Sequence, residues 1–296
     1  MILNASGRCD ICGYFMPWLM NRIKQGYADV RNPFYPKLVH RIPLDNDHID
    51  GIVFCTKNPI PALGVLDEIP WPVMFQVTLT PYQQEMEPEV PDKRLILEAI
   101  KELSEKLGKD KVIVRYDPIL ISPKYTVSYH QMMFERMCTQ LEGFIDTVIL
   151  SFLDLKKNTL ANQQSYQYRE PSRIEITKLC ESFSKSAQVH HMKMQTCAES
   201  IDLKRFDIEN LPCISEETAF LLTGKIIKHK KGQRQECECI ATVDLGSYNL
   251  CAHGCRYCYA NYDAKQIHFN MKAHDPASSL ICGHLKNDDE IRIREK

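Results

Sequence analysis

Three segments that follow one another closely in the chain decide the fold class: MFQVTLT (residues 74–80), PDKRLILEAIKELSEKLG (91–108) and VIVRYD (112–117). The first and third are rich in Val, Ile, Phe and Thr and end in polar residues, as buried strands do. The middle segment repeats apolar residues every three or four positions and ends in glycine, which indicates an amphipathic helix over residues 91–107. The stretch therefore predicts a strand, a helix and a second strand.

The same alternation continues through most of the chain. Seven strands are predicted, at residues 2–6, 51–56, 74–80, 112–117, 147–152, 191–196 and 240–245. Two more helices are predicted over residues 127–143 and 171–186. Alternating strands and helices form a parallel sheet, which is either a closed or partial (β/α) barrel or a doubly wound open sheet. Seven strands are one short of a closed eight-stranded barrel, and we expect a single α/β domain over residues 1–296.

Composition narrows the classes of protein that the chain can belong to. The 296 residues are 44% hydrophobic, which is enough for a full core, and 37 Lys and Arg residues balance 38 Asp and Glu residues for a net charge of −1. No overall field therefore draws the protein to nucleic acid or acidic lipid. No apolar run approaches the roughly 20 residues of a membrane span, and the N-terminus does not resemble a signal peptide. We expect a soluble cytoplasmic protein without a membrane partner.

Polar residues follow the predicted strands at their C-terminal ends, where parallel α/β proteins gather their active sites. The candidates are Ser6, Arg8, Asp10, Lys57, Asn58, Thr78, Thr80, Arg115, Asp117 and Ser151. The first residues of loops are polar in most proteins, so only the set is informative. Arg115 and Asp117 alternate on one strand and face the same side, where they form either a binding pair or a structural ion pair.

Cysteine is the one unusual component, with 13 residues in a chain that lacks an export signal and should keep its thiols reduced. Cys251, Cys255 and Cys258 form the spacing C-x3-C-x2-C just after a predicted strand. Three thiolates on one short loop can hold three corners of a cubic iron–sulfur cluster and leave one iron open to a non-protein ligand. The alternative is a zinc site completed by a fourth ligand. Candidates for that ligand are His253, Cys239 and Cys237.

The motif resembles the cluster-binding loop of radical S-adenosylmethionine enzymes, C-x3-C-x-aromatic-C, and Tyr257 stands at the aromatic position. The segment 257–261 is also similar to that of the spore photoproduct lyase group. The resemblance implies a [4Fe–4S] cluster on the three cysteines and S-adenosylmethionine on the open iron. It also implies a 5′-deoxyadenosyl radical acting on an unknown substrate and a flavodoxin or ferredoxin as electron donor. Tyr257 and the strand-end residues, Thr80 excepted, are then candidates for cofactor binding.

The position of the motif departs from that family, whose loop normally follows the first barrel strand. A circularly permuted or partial (β/α) TIM-like barrel reconciles the two. Residues 1–235 then form most of the barrel, 236–262 the cluster loop and 263–296 a C-terminal extension. The chain also resembles the DUF1848 group, a bacterial and archaeal family of unknown function. The likeness lies in the segments SGRCDI (6–11), TKNP (56–59), RYDP (115–118) and DLGSYN (244–249).

The remaining cysteines suggest further sites. Cys197, Cys213, Cys237 and Cys239 can form a second iron–sulfur cluster or a zinc site, or remain free thiols. A C-x2-C pair, Cys9 and Cys12, can act as a redox pair or as half of a metal site.

A basic segment, residues 228–234, raises nucleic acid as a partner and lesion repair or modification as the reaction. The near-neutral overall charge does not favour that interpretation. A zinc-binding structural or interaction protein is the alternative from another functional class.

Overall fold

The computed structural model describes residues 1–227 and 238–295, and these form an α/β fold with two sheets. In chain order the strands are β1 (Ile2–Asn4), β2 (Tyr27–Arg31), β3 (Leu38–Pro43), β4 (Gly51–Thr56), β5 (Val73–Thr78), β6 (Val112–Ile119), β7 (Thr147–Phe152), β8 (Lys193–Thr196), β9 (Ile208–Asn210), β10 (Thr242–Asp244) and β11 (Glu290–Ile293). The helices are α1 (Ile11–Tyr14), α2 (Met16–Gln25), α3 (Ile60–Leu63), α4 (Lys93–Leu107), α5 (Val127–Leu141), α6 (Leu160–Tyr166), α7 (Arg173–Val189), α8 (Glu216–Thr223) and α9 (Ala264–Lys272). Short 3-10 helices lie at Leu66–Glu68, Lys109–Lys111, Lys157–Thr159 and Lys204–Phe206.

Eight strands form the large sheet, in the order β10, β1, β4, β5, β6, β7, β8, β9. All neighbouring pairs are parallel, as helical crossovers require. The two edges are β9 and β10, and within the described residues no ladder joins them, so the sheet is not a closed barrel. The smaller sheet has three strands in the order β11, β3, β2.

All seven predicted strands lie in the large sheet, with ends displaced by at most two residues. The predicted count was nevertheless wrong, because β9 is an eighth strand that sequence patterning missed. It has only three residues, of which Ile208 alone is buried. The small sheet was also not predicted. The helix after β5 does end at Gly108, whose φ of 93° suits glycine.

The two faces of the large sheet bury different sets of side chains because residues alternate along each strand. One face packs against helices in the main core, through Leu3, Phe54, Phe75, Val114 and Leu150. We call the opposite side the inner face. Its buried apolar residues are Ile2, Val53, Met74, Ile113 and Ile149, which pack with Leu222 of α8.

The inner face becomes polar toward the C-terminal ends of its strands. On β4 to β7, the residue two positions after each of these apolar residues points to the same face. These residues are Cys55, Gln76, Arg115 and Ser151. The Arg115 guanidinium donates to Gln76 Oε1 at 3.1 Å, so neighbouring strands are linked through these groups. The fold thus places a polar surface above an apolar floor.

Within the described parts of the chain, no helix combines the length and hydrophobicity that crossing a membrane requires.

Candidate functional site

The cysteine loop, which we define as residues 249–261, follows β10 where that strand pairs with β1. Asp244, the last residue of β10, stands opposite Asn4. Its carboxylate accepts hydrogen bonds from Ser6 Oγ at 2.7 Å, Gly7 N at 2.9 Å and Gly246 N at 2.7 Å. Asp244 therefore fixes the exits of both strands against each other.

Asn261 holds the two ends of the cysteine loop together. Its buried Oδ1 accepts from the backbone N–H groups of Leu250 and Cys251, each at 2.8 Å. Its Nδ2 donates to Arg8 O at 2.9 Å and lies 3.8 Å from Cys258 Sγ. One amide side chain thus contacts the first and last cysteines of the motif and the N-terminal segment of the chain.

The sulfurs of the three motif cysteines are not grouped as closely as those around one metal ion. Cys251 is buried, and Cys255 and Cys258 are half-buried. A tetrahedral ion with metal–sulfur bonds of about 2.3 Å holds its sulfurs about 3.8 Å apart. These three sulfurs do not all lie within 4.8 Å of one another. Among the described residues, one other group of potential metal ligands does meet that distance. A cubic cluster binds each cysteine to a different iron and needs the wider spacing.

Electrostatics around the loop oppose thiolate formation in the absence of a bound cation. Burial raises the pKa of Cys251 well above its ordinary value, and Asp10 adds to the increase. Burial also raises the pKa of Cys255, although the nearby Lys57 ammonium works in the opposite direction. Thiolates at this buried position would need a bound cation to compensate their charge.

Asp10 anchors the loop instead of facing open space. Its carboxylate accepts from Gly13 N, Thr56 Oγ1, Lys57 N and His253 Nε2, at 2.7–2.8 Å. Burial alone would raise the pKa of Asp10, but the hydrogen bonds from His253, Thr56 and Gly13 outweigh it and hold that pKa below its ordinary value. Asp10 thereby ties the segment after β4 to the cysteine loop.

His253 is not available as a fourth zinc ligand. Its Nε2 faces Asp10 Oδ2 at 2.7 Å, and its Nδ1 lies 3.2 Å from both Glu89 O and Tyr14 Oη. Both ring nitrogens are engaged, and the ring is 3% exposed. The interpretation of His253 as a completing ligand is therefore wrong.

A buried glutamate, Glu87, collects the charges beside the loop. Its carboxylate pairs with Lys57 Nζ at 2.8 Å and with Lys93, and it accepts from Thr80 Oγ1 at 2.6 Å and from the Tyr257 hydroxyl. Burial would raise the pKa of Glu87, but the two ammonium groups outweigh it and lower that pKa to about 2. This charge network, which we call the Glu87 network, positions Lys57 and Tyr257 next to Cys255.

The other predicted strand-end residues lie at the same edge of the sheet. Arg115 Nη2 pairs with Asp117 Oδ2 at 2.6 Å. The two side chains face the same side of β6, as predicted from their alternate positions on the strand, and form an ion pair. Ser151 Oγ donates to Glu199 Oε1 at 3.0 Å. The guanidinium of Arg8 lies over Tyr248.

Two further candidates flank these groups. Thr78 is the last residue of β5, and Asn58 N donates to Thr56 Oγ1 at 2.9 Å. The edge as a whole presents both charge signs and several hydroxyl groups. Cofactor binding by these residues stays a prediction.

A second group of cysteines meets on the inner face of the sheet. We call Cys197, Cys213 and Cys239 the cysteine triad, since their sulfurs all lie within 4.8 Å of one another. The Sγ–Sγ distance is 3.8 Å between Cys197 and Cys239 and 3.6 Å between Cys239 and Cys213. Hydrogen bonds from the Cys197 and Cys239 thiols, with the Arg115 guanidinium, hold the pKa of Cys213 far below its ordinary value. The predicted second site is thus brought together, apart from Cys237, which lies outside the described residues.

Cys9 and Cys12 do not have the environment of a redox pair. Both are buried, and burial raises the pKa of each thiol well above its ordinary value. Reactive cysteines need the opposite shift, toward the thiolate, and access for a partner. These two thiols are core residues behind the cysteine loop.

The residues that sequence reasoning missed are those that hold the loop in place. Glu87 lies in the acidic stretch EMEPE (85–89), which reads as an exposed loop, and Lys93 reads as the exposed start of a helix. Neither residue lies in a sequence pattern that would predict a place beside the cysteine loop. For Asp244 a usable signal was present, because an aspartate that ends a strand two residues before a glycine commonly accepts turn N–H groups.

Fold and sites together define a parallel α/β protein with two cysteine-rich candidate metal centres. The family model described as Domain of unknown function (DUF1848) matches residues 2–260, and the chain belongs to that family. The predicted resemblance to the DUF1848 group is thereby confirmed. No curated protein and no solved structure matches the chain.

Proposed function

We propose that this protein is a radical S-adenosylmethionine enzyme with a [4Fe–4S] cluster on Cys251, Cys255 and Cys258. The observation that carries the proposal is the loop itself. Three thiols on one anchored loop at the carboxyl edge of a parallel sheet are spaced too widely for one ion. When bound, a cluster of this kind would supply one electron to the sulfonium of S-adenosylmethionine, which would then split into methionine and the 5′-deoxyadenosyl radical that takes hydrogen from a substrate.

The chain's own residues hold this loop rigid and exclude water from it. Tyr257 is buried, bonds to Glu87, and packs edge-on against Tyr82 with ring centroids 5.5 Å apart. The backbone of the segment that contains Met86 and Glu87 also holds the loop in place, since Arg256 N donates to Met86 O at 2.9 Å. A dry, fixed wall around Cys255 suits a site in which a reactive radical must be kept from solvent.

Cofactor binding is assigned to the polar edge beside the loop. The side chains of Arg115 and Asp117 are 17% and 24% exposed, so each has an accessible surface besides its partner. A guanidinium and a carboxylate at this edge suit the carboxylate and the amino or ribose groups of S-adenosylmethionine. Lys57 and Ser151 lie at the neighbouring strand ends, and a flavodoxin or ferredoxin is the expected electron donor.

We further propose a circularly permuted partial barrel, a topology with which the strand order is consistent. β10, which leads into the cysteine loop, is last of the eight strands in the chain but stands next to β1 in the sheet. Its position relative to β1 and β4 is the one that a first strand would occupy without permutation. The polar strand ends of β4 to β7 then follow the cluster strand in space.

Anaerobic reconstitution tests the proposal. We expect wild-type protein supplied with iron and sulfide to bind both, and to form 5′-deoxyadenosine when reduced in the presence of S-adenosylmethionine. The triple variant Cys251→Ala, Cys255→Ala, Cys258→Ala is expected to lose its brown colour and fall to background in product formation. Cys282→Ala, at a half-buried cysteine, is the matched control and should retain both.

Either of two outcomes would contradict this function. One is stoichiometric zinc on the loop without sulfide, which makes the protein a zinc-binding structural or interaction protein. The other is a reconstituted cluster that neither binds nor cleaves S-adenosylmethionine. Nucleic acid as the substrate is less favoured by the net charge of −1, and the basic segment 228–234 lies outside the described residues.

A further inference from the structure

We propose that the cysteine triad binds one divalent metal ion of the zinc class, and that this ion joins the two edges of the open sheet. The site is separate from the cysteine loop. Its three ligands, Cys197, Cys213 and Cys239, belong to three different segments of the chain. The inference does not depend on radical chemistry.

The sulfur geometry is that of a single ion. Bonds of about 2.3 Å to a tetrahedral metal place neighbouring sulfurs about 3.8 Å apart. The observed separations are 3.8 Å for Cys197 and Cys239, and 3.6 Å for Cys239 and Cys213. A disulfide would need about 2 Å between sulfurs, and a cubic cluster would spread its cysteines over different irons. Thiolate ligands at this spacing select zinc or a similar soft divalent ion.

The position of the triad gives the ion a structural task. Cys197 directly follows β8, Cys213 lies just beyond β9, and Cys239 comes shortly before β10. β9 and β10 are the opposite edges of the large sheet. The two segments are already in contact, because Ile240 N donates to Ile214 O at 3.0 Å. An ion on the triad would link these two edges through metal–sulfur bonds, where the described residues form no strand ladder.

Neighbouring groups complete the site. Gln76 Nε2 donates to the carbonyl of Cys213 at 2.7 Å and fixes that ligand against β5. The positive charge of the Arg115 guanidinium lowers the pKa of Cys213 and so favours its thiolate. Three thiolates and one divalent cation carry a net negative charge, and the guanidinium of Arg115, which also pairs with Asp117, offsets part of it. Three protein ligands leave the fourth position of the ion for water or another ligand.

Metal analysis of the 296-residue chain tests this inference. We expect wild-type protein to retain a stoichiometric divalent ion, and Cys197→Ala, Cys213→Ala and Cys239→Ala each to lose it. Cys282→Ala, at a half-buried cysteine outside the triad, should keep the ion. After chelation, titration with Co²⁺ alone should produce thiolate-to-cobalt charge-transfer absorption in wild type and in Cys282→Ala but not in the triad variants.

A measurement on wild-type protein keeps the test valid if a triad variant fails to fold. Bound metal should protect Cys197, Cys213 and Cys239 from alkylation, and chelation should expose them, as peptide mass spectrometry reports. The inference is overturned if wild type holds no stoichiometric ion and shows no cobalt absorption. It is equally overturned if a triad variant keeps the ion, or if Cys197 and Cys239 are found as a disulfide.

Iron and sulfide measured in the same samples separate this inference from the proposed function. The triple variant of the cysteine loop should lose iron and sulfide but keep the triad ion. Failure of the cluster with retention of the ion would contradict the radical enzyme alone. Loss of the ion in wild type with an intact cluster would contradict the triad site alone.

Discussion

Replacing Glu87 with glutamine should lower the free energy of unfolding by about 3–5 kcal/mol, the range found when one partner of a buried ion pair is removed. The variant keeps the shape of the side chain but leaves the ammonium groups of Lys57 and Lys93 without their anion. The Glu87 side chain is 1% exposed, so water cannot take its place. Denaturant unfolding at neutral pH measures the loss.

Glu98→Gln is the matched control. Glu98 pairs with Lys101 at 2.9 Å, but its side chain is 70% exposed. Surface pairs of this kind contribute about 0–1 kcal/mol, so the control should unfold close to wild type. Equal losses in the two variants would show that the Glu87 network does not stabilise the fold.

Acid is expected to destabilise wild type more steeply than Glu87→Gln below pH 4.5. The pKa of Glu87 falls from 4.5 to about 2 on folding, because Lys57 and Lys93 outweigh the effect of burial. Between those pH values the unfolded chain binds a proton that the folded chain does not. The stabilisation is therefore complete above pH 4.5 and is lost as the pH falls toward 2. As the pH falls through this window, the unfolding free energies of wild type and Glu87→Gln should converge. Parallel curves for the two proteins would contradict the lowered pKa of Glu87.

Gly246→Ala should cost about 3 kcal/mol, at the upper end of what an added methyl group costs in a packed site. A Cβ atom at position 246 would lie 2.0 Å from Ser6 Oγ, 2.9 Å from Ser6 Cβ and 3.0 Å from Cys9 Sγ. The hydroxyl cannot simply move, because it donates to Asp244 Oδ1 at 2.7 Å. We expect lower stability and weaker iron retention on the adjoining cysteine loop, measured by unfolding and by metal analysis.

Gly64→Ala provides the control for that substitution. Apart from residue 64 itself, its chain neighbours and the adjacent helix backbone, no atom lies within 4 Å of a Cβ at position 64. Its φ of −79° suits any residue, so this change should be neutral or slightly stabilising. Adding Ser6→Gly to Gly246→Ala removes both close atoms of residue 6 and should recover part of the loss. A double variant no better than the sum of its single changes would indicate that the clash is not the cause.

Local patterns predicted the parts of this fold that depend on local chemistry. Alternating apolar residues found every strand of the large sheet except β9, whose three residues offer too little pattern. The spacing of Cys251, Cys255 and Cys258 placed three thiols on one loop after β10. The second thiol group was also anticipated, since Cys197, Cys213 and Cys239 do meet.

Contacts between distant segments explain what the sequence did not predict. His253 is a reasonable ligand by spacing, yet its partner Asp10 is 243 positions away. Glu87 stands in an acidic, proline-rich stretch, and only the tertiary structure encloses it between Lys57, Lys93 and Tyr257. Spacing along the chain cannot show which side chains fold over a site from elsewhere.

The place of β10 beside β1 has a consequence for biosynthesis. Ser6 and Asp244, which bond across this junction, are 238 positions apart, so a ribosome completes β1 long before it makes the strand that covers its outer edge. Until then the nascent sheet exposes an unpaired strand, which is a site for aggregation and for chaperone binding. The cysteine loop emerges later still. Any metal that this loop binds can therefore be loaded only after the strands β1 to β9 have been synthesised.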